Sequence, residues 1–245
     1  MTKEKEPLKD IKRIHSTIIR KYANQMERRF KMLLCPSMMC ADYGRLKEEV
    51  KELDQAGVDI FHCDVMDGTF VPNMTMGIMD IQTIRKYTDK IIDCHLMIEN
   101  PSNKVDWFMD AGADLIYIHP ESERYVVKTL AHIKENGKLA GIAVNPDTSI
   151  ESIEEMLNLC DYVMVMTVNP GFAGQKFIDF TKNKIDKLVK LKQKYGFKIT
   201  IDGACSPQVI KELSDRGCDG FVLGTSALFG KNKSYNELVK ELRAL

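Results

Sequence analysis

Alternation is the strongest constraint this chain places on its fold. From residue 31 onward, short apolar runs of strand character alternate eight times with stretches whose apolar residues recur at helical spacing. Strands are predicted at 32–35, 59–65, 91–97, 115–119, 139–144, 162–166, 198–202 and 220–224. The first helix starts from Asp42, an N-cap residue, and runs through Leu46, Val50 and Leu53. The others are predicted at 76–87, 101–111, 125–136, 150–159, 177–195, 207–216 and 235–245. Ala56-Gly57-Val58-Asp59 and Ala111-Gly112-Ala113-Asp114, echoed by Arg216-Gly217-Cys218-Asp219, mark helix-to-strand turns. Strands that alternate with helices pair in parallel. Eight units without a topological gap favour an α/β, closed (β/α)8 TIM barrel, a single domain over 31–245 with its site at the C-terminal strand ends. A doubly wound open sheet would be expected to carry G-x-G-x-x-G after its first strand. None is there.

Residues 1–30 read differently. They hold nine Lys/Arg against four Asp/Glu, and Ile11, Ile14, Ile18, Ile19, Tyr22 and Met26 recur at helical spacing. This is expected to be an amphipathic, basic N-terminal extension that docks on the body or on a partner subunit. Over the whole chain 35 basic residues balance 35 acidic ones. That balance gives no electrostatic case for nucleic acid or an anionic membrane. No apolar run approaches the roughly 20 residues of a membrane span, and no secretory signal pattern is visible, so a cytoplasmic protein is expected. The seven cysteines show no C-x-x-C spacing and mostly lie in apolar strands. They are expected to be reduced core residues.

The chemistry gathers at the strand ends. In the second strand, side chains alternate, so His62, Asp64 and Met66 share one face while Phe61, Cys63 and Val65 take the other. A carboxylate inside an apolar run is costly unless paired, hydrogen-bonded or bound to a metal. The third strand puts Asp93, His95 and Met97 on one face, and the seventh ends at Asp202. Two imidazoles and two carboxylates (His62, Asp64, His95, Asp202) suit one divalent cation, with Zn²⁺, Fe²⁺, Mn²⁺ and Co²⁺ all open. Asp93 is a candidate to orient His95. Ser37, after the first strand, is a candidate hydrogen-bond donor to substrate. His119 is expected to line the pocket, and Glu99, Glu121, Glu123 and Asn145 are loop candidates for sugar hydroxyls.

A second constellation suits phosphate. Gly171, Phe172, Ala173 and Gly174 follow the sixth strand, Gly203 and Ala204 the seventh, and Gly224 and Thr225 the eighth. Glycines let backbone N–H groups approach an anion closely, and the last loops of such barrels commonly do so together with a short helix N-terminus, here expected at 226–229.

The motifs CPSMMCAD, HCDVMDGTFVPN, DCHLM, VMTVNPGFAGQKF, IDGAC and LGTSALF, in this order over roughly 31–230, resemble the ribulose-phosphate 3-epimerase family. Met39-Cys40, His119-Pro120-Glu121, Ala204-Cys205 and Thr225-Ser226 are most similar to its D-allulose-6-phosphate 3-epimerase branch, with the ribulose 5-phosphate enzymes as the alternative. The resemblance implies a metal-dependent epimerase acting at C3 of a phosphorylated ketose through a cis-enediolate, in a homo-oligomer (dimer or hexamer). It implies Asp64 and Asp202 as the acid–base pair, each also a metal ligand. Inverting a carbon beside a carbonyl needs a base on one face and an acid on the other, and two carboxylates on well-separated strands can supply both. The resemblance also implies that Met66, Met97 and Met166 cap the enediolate with polarisable sulfur.

Two other readings compete. A silent sugar-phosphate binder would be expected to lose one of the two aspartates, and both are present. A lyase-type barrel usually needs a Lys at a strand end, and none of the eight predicted strands ends in one.

Overall fold

The computed structural model describes residues 32–245; the expected N-terminal extension lies outside the described residues. Nine strands form one sheet. They are β1 (Leu33–Pro36), β2 (Ile60–Asp67), β3 (Met74–Thr75), β4 (Ile91–Met97), β5 (Leu115–Ile118), β6 (Leu139–Val144), β7 (Tyr162–Met166), β8 (Lys198–Asp202) and β9 (Gly220–Leu223). All pair in parallel except β3, a two-residue flap antiparallel to the end of β2. The sheet curls until β1 meets β2, through the Asp59 N–H on the Leu34 carbonyl (3.0 Å) and a parallel bridge between Ser37 and His62. The eight long strands thus make the expected barrel.

Two apolar layers follow from the period-2 alternation. The outward residues of the strands, Phe61, Cys63, Ile92, Cys94, Ile116 and Ile142 among them, pack under the helices. The inward residues Leu115, Tyr117, Ala143, Tyr162, Met164, Met166 and Val222 fill the barrel. Tyr117 shows why β6 carries a glycine: a Cβ on Gly141 would lie 2.5 Å from the Tyr117 ring. The room left by Gly141 lets the Tyr117 hydroxyl meet Thr200 Oγ1 at 3.0 Å.

The helix-to-strand turns have a structural role at the opposite end from the site. Asp59, Asp114, Asp161 and Asp219 each precede a strand, and each accepts the backbone N–H of the second residue of a neighbouring strand: Leu34, Ile92, Ala140 and Ile199 respectively. Each also pairs with a cation: Arg243, Arg85, Lys134 and Lys192 in turn. The repeated aspartates are clamps at the barrel floor.

The helices sit close to their predicted places, at Leu46–Ala56, Ile78–Arg85, Val105–Ala111, Val126–Glu135, Thr181–Tyr195, Pro207–Asp215 and Tyr235–Arg243. Asp42 caps a short 3-10 turn, Tyr43–Arg45, that leads into the first of them. The stretch predicted as a helix at 150–159 is instead a 3-10 helix, Glu154–Leu159. The helix expected at 226–229 is a turn: the N–H groups of Ala227, Leu228 and Phe229 crowd onto the Gly224 carbonyl at 3.4, 3.0 and 3.3 Å. Among the described residues no helix is long and apolar enough to cross a membrane.

Candidate active site and metal centre

The C-terminal mouth of the barrel holds a pocket. Ser37, Asp64, Met66, Met97, Met166 and Asp202 form its inner wall, and Gly171, Phe172, Ala173, Gly174, Gly203, Ala204, Gly224 and Thr225 line it from the three glycine loops. Ser37, the three methionines and all the expected phosphate residues thus reach this pocket, whereas His95, which the resemblance also implies as a substrate contact, lies fully buried behind it. Met39, Cys40, Asn169, Gln175 and Cys205 line it too. Gln175 could have been singled out as the polar end of the glycine loop: its side-chain N–H2 donates to the Asn169 and Phe172 carbonyls at 2.6 and 2.9 Å and holds that loop in shape. Glu99, Glu121, Glu123 and Asn145 do not line the pocket. Glu123 instead accepts the N–H groups of Ser102 and Tyr125, and Glu121 that of Asn145.

The phosphate loops depend on unusual backbone. Gly171, Gly174 and Gly203 have φ of +119°, +81° and +117°. A Cβ on Gly203 would lie 2.9 Å from the Val168 backbone nitrogen, so the loops after β7 and β8 touch only because that residue has no side chain. Ala204, next in line, is itself left-handed at φ 51°, a strain of the kind that surrounding structure must hold in place.

Under the pocket lie the two histidines and two carboxylates. One ligand atom from each of His62, Asp64, His95 and Asp202 lies within 4.8 Å of the others. The Ser37 hydroxyl donates to Asp64 Oδ2 at 2.6 Å. Asp64 Oδ1 lies 3.1 Å from His62 Nε2 and 3.3 Å from His95 Nδ1. His95 Nδ1 is also 3.6 Å from Asp202 Oδ2. Thr75 of the flap donates to the Asp64 carbonyl at 2.5 Å, and Asp67 ties the same segment to the loop after β4 by accepting the Glu99 N–H at 2.9 Å.

Two further expectations need correction. Asp93 does not serve His95; it hydrogen-bonds His62 Nδ1. Parallel register sets Asp93 directly across from His62, whereas His95 stands across from Asp64. His119 does not line the pocket. It is fully buried behind His95, with the two Nε2 atoms 2.8 Å apart and the rings stacked at 5.0 Å between centroids.

The environment separates the two aspartates. Burial pushes the Asp64 carboxyl up, but His62 and His95 outweigh it and hold Asp64 well below the usual carboxylate range. Asp202 is raised to about 6 by burial and by the Asp64 charge. Burial opposes a charge on His62, yet Asp93 and Asp64 outweigh it and raise that imidazole well above its ordinary value. His119 is lowered to about 4 by burial, against the opposing pull of Glu121.

These groups fit a divalent cation. The donor set is two imidazoles and two carboxylates converging on one point, and Asp93 holds His62 with Nε2 facing the cluster. The seven cysteines are all free and stand apart from it; Cys40, half-buried in the pocket wall, is the one nearest to solvent.

Residues 33–229 match the model of the ribulose-phosphate 3-epimerase family. The ribulose-phosphate 3-epimerase of Aquifex aeolicus is 41% identical over 215 residues, covering 87% of this chain and 96% of that one. Those of Synechocystis and Escherichia coli are 39% and 38% identical over 216 and 215 residues, each alignment spanning 86% of this chain and 93% or 95% of the relative. Among solved structures, 3-keto-L-gulonate-6-phosphate decarboxylase from Vibrio cholerae superposes with a TM-score of 0.64 at 15% identity, over 87% of this chain and 96% of that one. 3-Hexulose-6-phosphate synthase from Salmonella typhimurium does so with 0.61 at 19%, over 87% and 97%. At such low identity these structures establish the barrel alone. With the motifs on their strand ends, the carboxylate pair in the pocket and a match that runs nearly the length of the barrel, the chain belongs to the ribulose-phosphate 3-epimerase family.

Proposed function

We propose that this protein interconverts D-ribulose 5-phosphate and D-xylulose 5-phosphate. The observation that carries the reading is that Asp64 and Asp202 are the only carboxylates among the described residues that line the pocket. They project from β2 and β8, beneath loops whose glycines suit a phosphate. Their environments push their proton affinities apart, the mark of a pair in which one group takes a proton while the other gives one. Asp64 removes the C3 proton, Asp202 protonates the opposite face, and the roles exchange in the reverse direction. Ser37 holds Asp64 in place through its hydroxyl. Met66, Met97 and Met166, each at most 4% exposed, keep water from the enediolate. A divalent cation held by His62, Asp64, His95 and Asp202 would supply Lewis-acid stabilisation of the charge that develops on O2 and O3.

The relatives compared above favour the pentulose substrate. The six-carbon alternative rests on Met39-Cys40, His119-Pro120-Glu121, Ala204-Cys205 and Thr225-Ser226; all but His119-Pro120-Glu121 line the pocket. The deciding experiment compares kcat/KM for ribulose 5-phosphate and allulose 6-phosphate on the metal-loaded protein in D2O. A preference for the pentulose with one deuterium entering at C3 per turnover supports the proposal. A preference for the hexulose moves the protein to the other branch, and no turnover of either overturns the epimerase reading. Residues 31–245 carry the whole activity in this proposal, in a homo-oligomer; truncation at residue 31 with light scattering checks both.

A further inference from the structure

His119 and Glu121 are left without a task by the proposed chemistry, yet they stand in line with the metal centre. His95 presents Nδ1 to Asp64 and Asp202 and Nε2 to His119 Nε2, 2.8 Å away. Two imidazole nitrogens at that distance share one proton, so one donates and the other accepts. On its far side His119 Nδ1 is buried without a hydrogen bond and faces Glu121 Oε2 at 3.4 Å. Glu121, in the 3-10 turn after β5, is itself held by the loop after β6: its Oε1 accepts the Asn145 N–H at 3.1 Å and the Thr148 hydroxyl. The Phe70 ring, 4.9 Å from His119 between centroids, packs on the same imidazole.

Only one proton arrangement sets a donor against an acceptor at both contacts of His119 when His95 Nδ1 serves as a ligand. Nδ1 is then bare and His95 carries its proton on Nε2. His119 Nε2 accepts that proton's hydrogen bond, so His119 carries its own proton on Nδ1, turned toward the Glu121 carboxylate 3.4 Å away. The reverse arrangement would aim a lone pair of His119 at an anion. We infer that His119 and Glu121 are positioning residues that fix the orientation and tautomer of His95, anchoring a metal ligand on β4 to the loop after β6. The inference rests on the reading of His62, Asp64, His95 and Asp202 as a cation site. It assigns β4 the counterpart of what Asp93 does for His62 on β2.

The test uses the full chain, stripped with chelator and titrated with Co²⁺ against a competing chelator. His119→Leu removes the acceptor but keeps bulk; His119→Gln offers an amide oxygen in its place; Glu121→Gln removes the anchoring charge. His119→Leu is expected to weaken Co²⁺ binding about 10- to 100-fold, the usual effect of losing a partner behind a ligating histidine, and to change the visible Co²⁺ spectrum. His119→Gln is expected to recover most of the affinity, and Glu121→Gln to fall between, with kcat lowered more than KM is raised. Equal Co²⁺ affinity in wild type and all three variants, or equal losses in the Leu and Gln variants, overturns the inference while leaving the cation site standing. A wild-type protein that binds no Co²⁺ overturns both. Should the Leu variant fail to fold, ¹⁵N spectra of the Zn²⁺-loaded wild type decide: a proton on His119 Nδ1 supports the assignment, and one on His119 Nε2 defeats it.

Discussion

His62 and Asp93 face each other across the β2–β4 register, and the Asp93 carboxylate accepts a hydrogen bond from His62 Nδ1. The bond leaves His62 Nε2 3.1 Å from Asp64, at the centre of the cluster. A fully buried imidazole would otherwise be free to turn or to take the other tautomer.

Asp93→Ala should therefore cost more than a surface change. The buried Nδ1 loses its partner, a loss of about 1–3 kcal/mol in stability, and metal affinity should fall about 10-fold or more. Asp93→Asn keeps an acceptor oxygen and should retain most of both. Thermal unfolding and metal competition read the two effects; equal behaviour of Ala and Asn variants would show that Asp93 only fills space.

Asp202→Asn separates the two halves of the reaction. With Asp64 as base, ribulose 5-phosphate should still exchange its C3 hydrogen with D2O while epimerisation drops by about 10²- to 10⁴-fold, the usual contribution of one general acid or base. Asp64→Asn should abolish exchange from the same substrate. NMR of the recovered ketose distinguishes them, and exchange without loss of epimerisation in Asp202→Asn would remove Asp202 from the mechanism.

Metal binding should strengthen as pH rises through 6. Asp202 in the folded, metal-free chain holds its proton to about 6, above the ordinary 3.8. A raised pKa contributes stability that is full below about 4 and lost as pH climbs through 6. His62, also raised, keeps its proton in the metal-free state. A cation must displace these protons. The rise in Tm on adding Co²⁺ should be larger at pH 7.5 than at pH 5, and an equal rise at both would show that neither proton competes with the metal.

Gly203→Ala tests the phosphate loops. At φ +117° the new Cβ is strained and would press on the Val168 nitrogen, a cost of about 1–3 kcal/mol from the backbone alone. The loops after β7 and β8 should part, raising KM for the phosphorylated substrate. Gly137→Ala, also at positive φ but with nothing near its Cβ, should lower stability without touching KM.

The barrel was legible because its signals are local. Period 2 in the strands and the helical spacing of Leu46, Val50 and Leu53 belong to single elements, and the strands at 91–97, 139–144, 162–166 and 198–202 stand where the alternation put them. The site residues were legible for a related reason: a His or Asp at the end of an apolar strand has few inexpensive roles. The stretch at 150–159 carried helical spacing but became 3-10, because the packing of a short connection overrides a weak local preference.

Pairing was what only the tertiary structure decided. Asp93 shares a face with His95 in the sequence, yet inter-strand register hands it to His62, and His95 takes His119 from the next strand instead. The aspartates of the repeated turns looked like turn residues and proved to be clamps on neighbouring strands. Alternation determines which face a side chain occupies, a property of one strand. Which partner it meets depends on the stagger between strands that are about twenty to forty residues apart in the chain, and that stagger is set by closing the barrel as a whole.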